Sequence, residues 1–128
     1  MATYNKTDIE KLHFEHRIWT NELNFFYDEV HIYEHRLERL VQSNTDKDML
    51  AQLEHFQNQF IRQKEVLDQL KHDIKIHDIS LANLLKKQDH SAEKEVGNHN
   101  SIQDQMENFR KIYGDLKKEF YQFITRWK

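Results

Sequence analysis

Apolar residues recur along the chain at alternating steps of three and four. The first series is Ile9, Leu12, Trp19, Leu23, Phe26, Val30, Tyr33, Leu37 and Leu40, with His16 as its one polar member. The second is Met49, Leu53, Phe56, Phe60, Gln63, Leu67, Leu70, Ile74, His77, Leu81 and Leu84, with two polar members. The third is Ile102, Met106, Phe109, Tyr113, Leu116, Phe120, Phe123 and Trp127. Such a step pattern puts one narrow apolar seam on the face of a helix. It predicts three long helices, at about 8–42, 46–89 and 101–127.

Local signals support these limits. Thr7-Asp8-Ile9-Glu10 reads as a capping box, with acids at the positive end of the helix dipole. Gln42 to Thr45 is polar and reads as the first turn, with Asn44 or Thr45 capping the next helix. Residues 88–100 are polar and aperiodic, and Gly97 among asparagines marks the second turn. Ser101-Ile102-Gln103-Asp104 then reads as another cap. Short turns make neighbours antiparallel. The expected fold is therefore all-α: an up-down-up bundle of three long helices with coiled-coil-like packing, in one domain over residues 1–128. A break near residue 79, with Ser80 starting a fresh helix, would make four.

Composition narrows the function classes. The 128 residues include no proline, no cysteine and two glycines. This excludes a disulfide framework, thiolate chemistry and a glycine-rich phosphate loop. There are 22 acidic and 19 basic residues, for a net charge of −3, so the chain as a whole offers no strong positive field. Opposite-sign helices are expected instead to attract one another. Glu22, Asp28, Glu29, Glu34 and Glu38 are on the first, and Lys111, Lys117, Lys118, Arg126 and Lys128 on the last. Neither nucleic acid nor membrane is expected as a partner. The N-terminal stretch lacks an apolar run, which together with the missing cysteine predicts a cytoplasmic location. The Asn5-Lys6-Thr7 glycosylation pattern is expected to be a chance match.

Nine histidines are many for such a chain. Antiparallel register places His16 level with about residue 73, and His77 level with about residue 113. His16, His77 and Tyr113 are therefore expected in one polar core layer, which would fix register. His13, Asp73 and Asp78 flank it, and Gly114 suggests close backbone approach nearby. His13, His16, Asp73, His77 and Asp78 form a candidate site for a divalent transition metal (zinc, iron, copper or nickel), because imidazole and carboxylate suit these ions. Without such an ion no cofactor is expected. His31 and His35 have metal-clamp spacing but point away from the seam. The four serines fall near turns or helix ends, and no catalytic triad is legible. A non-enzymatic protein is expected.

The remaining signal is surplus apolarity. Phe14, Ile18, Phe25 and Ile32 form a row roughly 130–170° from the first seam, and Ile76 and Ile79 are also off-seam. A simple bundle would expose this row. It predicts protein–protein interaction through the first helix, as a homodimer or with another helical protein. Histidine also titrates near neutrality, so a pH-responsive assembly is a further expectation.

Overall fold

In the computed structural model, which describes residues 6–43, 45–87 and 92–127, the seams become three helices. These are α1 (Lys6–Ser43), α2 (Lys47–Lys87) and α3 (Ala92–Arg126). Among the described residues there is no strand. α1 packs on α2, and α2 on α3, as an all-α three-helix bundle. The pairs Glu22–Arg110, Glu29–Lys117 and Tyr33–Tyr121 rise together along the two helices and place α3 parallel to α1.

The seams are the core. Every member of the second series is buried, including Gln63 and His77. In the first, Leu12 and Phe26 are half-buried and the rest buried; in the third, only Trp127 is half-buried. Aromatic rings fill one end. Phe60 meets Phe120 edge-on at 5.1 Å, and Phe56 and Phe123 lie 5.0 Å apart. Fully burying such a side chain stabilises by about 1.5–3 kcal/mol. At the opposite end a smaller cluster joins Ile9, Leu81 and Leu84.

Several boundaries differ from the sequence expectation. α3 begins at Ala92, not near 101, so the second connection is confined to residues 88–91. Gly97 and Asn98 are helical. Their weak helix propensity is overridden by seam packing further along the same helix. Ser101 lies inside α3 and accepts a bond from Gln105 Nε2 at 3.3 Å, so it is no cap. α2 runs unbroken past Ser80, which removes the four-helix alternative. The cap of α2 is Asp46: its Oδ1 accepts the Met49 N–H at 3.0 Å. Asn44, Asn5 and Lys128 lie outside the described residues, as does the side chain of Thr7.

Charge stitches the helices together within the bundle. Arg110 grips Glu22 with two bonds, Nη2 at 2.7 Å and Nε at 2.9 Å. One heptad on, Lys117 reaches Glu29 at 2.9 Å. Glu34 pairs with Lys64 of α2 at 3.0 Å. The acidic face of α1 thus meets cations of both neighbours. Gly114 serves no close approach, because a Cβ there would meet nothing within 4 Å.

Candidate metal centre

Between the main core and the end cluster lies a layer of three histidines, one per helix. His16 comes from α1, His77 from α2 and His99 from α3. Each holds a seam position where an apolar residue would be usual, so each is buried, at 2%, 4% and 3% exposure. His16 Nε2 lies 3.0 Å from His77 Nδ1 and 3.1 Å from His99 Nδ1. Trp19 stacks on the His99 ring at 4.7 Å and shields the layer on the side of the main core.

Carboxylates address the layer from outside. Asp78 Oδ1 lies 2.9 Å from His16 Nδ1 and also accepts from His13 at 2.6 Å. Glu15 Oε2 lies 3.4 Å from His99 Nε2. A carboxylate accepts only, so it draws a ring proton toward itself. Assigned on these partners, neutral His16 carries its proton on Nδ1 and neutral His99 on Nε2. The inward nitrogens, His16 Nε2 and His99 Nδ1, then face each other as lone pairs. His77 Nδ1 can donate to His16 Nε2, 3.0 Å away. A cation at the centre would satisfy the set.

The electrostatics disfavour a proton as that cation. Burial, foremost, holds His16 below the usual 6.5, aided by His77 and His99 and opposed by the Asp78 hydrogen bond. His99 is lowered likewise, by burial first, with Glu15 opposing and His77 adding. Burial alone would raise Asp78, but hydrogen bonds from His16 and His13 outweigh it and keep the carboxylate ionised. Neutral imidazole is the form that binds metal. One ligand atom from each ring lies within 4.8 Å of the others. Tetrahedral zinc with ~2.0–2.1 Å arms separates its nitrogen ligands by about 3.3 Å. The donor type suits zinc, copper, nickel or iron, and the two separations from His16 Nε2, 3.0 and 3.1 Å, lie near the tetrahedral value.

The structure brings His16 and His77 together at this centre. Asp78 stands at the outer nitrogen of His16, and exposed His13 joins Asp78, not the centre. Asp73 accepts from Gln69 Nε2 at 2.9 Å, in its own helix. Tyr113 lies elsewhere along the bundle: its hydroxyl donates to Glu29 at 2.7 Å and its ring stacks on Phe109. The early start of α3 explains this, because it carries His99 to the level of His77 and moves Tyr113 away. His99 and Glu15 are the residues that sequence reasoning missed. One signal was present: His99 continues the third seam three residues before Ile102.

Other candidates fall outside the layer. His31 and His35 pair with Glu34 and Glu38 of their own helix, each at 3.5 Å. Phe14, Ile18, Phe25 and Ile32 are all exposed, at 63%, 50%, 60% and 65%, as are Ile76 and Ile79. Among the described residues no helix is long and apolar enough to cross a membrane. No protein-family model, curated protein or solved structure matches the chain.

Proposed function

We propose that this protein is a transition-metal-binding helical bundle, in which His16, His77 and His99 hold one divalent ion of the zinc class. One observation carries the reading: inward imidazole nitrogens from three helices converge while Asp78 and Glu15 hold the outer nitrogens of two. Carboxylate–histidine pairs of this kind orient ligands and raise their basicity. Because each ligand comes from a different helix, the ion would tie the bundle together and couple binding to folding.

The test is metal content of untagged protein, with titration of metal-free protein by zinc and by cobalt. The expected result is one ion per chain, and a Tm rise of about 10 °C at a hundredfold excess over Kd. His99→Gln should abolish both while the far-UV spectrum stays helical. Absence of stoichiometric metal, with no Tm rise from zinc, cobalt, copper or nickel, would overturn the reading.

A second reading rests on the exposed row of Phe14, Ile18, Phe25 and Ile32 along α1. Two phenylalanines and two isoleucines in one line favour self-association through that face. Phe25→Glu should then yield a smaller particle of unchanged helicity. Equal light-scattering mass for the two proteins would dismiss it.

A further inference from the structure

A groove of about 510 Å³ runs between α1 and α2 beside the histidine layer. Arg17, Thr20 and Asn21 line it from α1, and Lys71, His72 and Lys75 from α2. The spacing explains why they share one face. Residues three and four apart on a helix are neighbours, and so are Lys71 and Lys75.

These cations contrast with others that bridge the bundle. Arg110, Lys117 and Lys64 each meet a glutamate of α1. Among the described residues, Arg17, His72 and Lys75 have no carboxylate within ion-pair distance. Lys71 sits over the Tyr27 ring, 5.8 Å from its centre. The acid bordering the groove, Asp78, is engaged by His16 and His13. Three fixed positive charges against the one Asp78 carboxylate therefore line this concavity, in a chain whose net charge is −3. Lys71 and Lys75 repel each other at this spacing, and a bound anion would relieve that repulsion.

We propose that this groove binds a small, multiply charged anion of the phosphate-ester class. Arg17, Lys71 and Lys75 would neutralise it, and the Thr20 hydroxyl and Asn21 amide would bond to its oxygens. The volume falls within the range of small-molecule sites. A nucleic acid or a membrane would require a longer basic surface, which the acidic face of α1 does not provide. The site needs no metal ion.

Titration calorimetry of the metal-free protein with inorganic pyrophosphate tests this. One saturable site is expected, weakening as salt is raised. The Arg17→Gln variant and the Lys71→Gln/Lys75→Gln double variant should each bind about tenfold or more weakly. A control on α3, Lys111→Gln/Lys118→Gln, should bind like the parent. These side chains lie outside the core, so circular dichroism should report an intact bundle for every variant. No saturable binding would overturn the proposal, as would equal affinity across all variants. So would retention on phosphatidylserine vesicles or an oligonucleotide without a pyrophosphate site.

Discussion

His16 Nε2 lies 3.1 Å from His99 Nδ1, and the other nitrogen of each ring faces a carboxylate. The Asp78 contact, at 2.9 Å, is the shorter of the two and fixes the His16 tautomer more firmly. Asp78→Ala should therefore leave the three ligands in place but weaken zinc binding by about 10–100-fold. Competition against a chelator of known affinity reads this directly. Unchanged affinity would mean that the carboxylate does not position His16.

The histidine layer also gives stability a sign with pH. His16 and His99 are held below 6.5 in the folded chain, chiefly by burial. The unfolded chain therefore takes up protons first as pH falls. Stability should be level above about pH 7, begin to fall near pH 6.5, and keep falling until the lowered folded values are passed. Asp78, lowered from 3.8, contributes stability that is lost only in stronger acid, as pH falls through its folded value. Thermal melts of metal-free protein between about pH 8 and pH 5 check the histidine window. A Tm that does not change across that range would contradict the neutral, buried layer.

Helix seams proved far easier to read than turns. All eleven members of the second series, from Met49 to Leu84, are buried, because a long periodic pattern averages over local propensity. The start of α3 at Ala92 was obscured because Gly97, Asn98 and Asn100 carry turn chemistry, yet they lie inside α3. That displacement hid His99, although it stands three residues before Ile102 in the seam. It also set Tyr113 at the wrong height, where its partner is Glu29 and not His77. His16 and Asp78 were legible from the shorter first turn, where the register was about one helical turn out.

Gly114 tests whether any part of α3 depends on a missing side chain. A Cβ there meets nothing within 4 Å, and the residue lies in the helix interior. Alanine lowers the entropy of the unfolded chain and favours the helix. Gly114→Ala should raise stability by about 1 kcal/mol, seen as a higher urea midpoint at constant slope. A lower midpoint would reveal a constraint on this turn that the packing does not show.

The aromatic end and the ion pairs should differ sharply in what they contribute. Phe60 is fully buried and touches Phe56, Tyr33 and Phe120. Its removal leaves a cavity lined by rings that cannot all collapse inward. Phe60→Ala should cost about 3–5 kcal/mol. The Glu22–Arg110 pair has good two-bond geometry, but both side chains remain partly exposed, at 29% and 38%. Water and salt already screen it, so Arg110→Met should cost only about 0.2–1 kcal/mol. Measured side by side in denaturant, the two variants weigh seam packing against cross-helix charge. Comparable losses would mean that the α1–α3 contact depends on charge far more than its exposure allows.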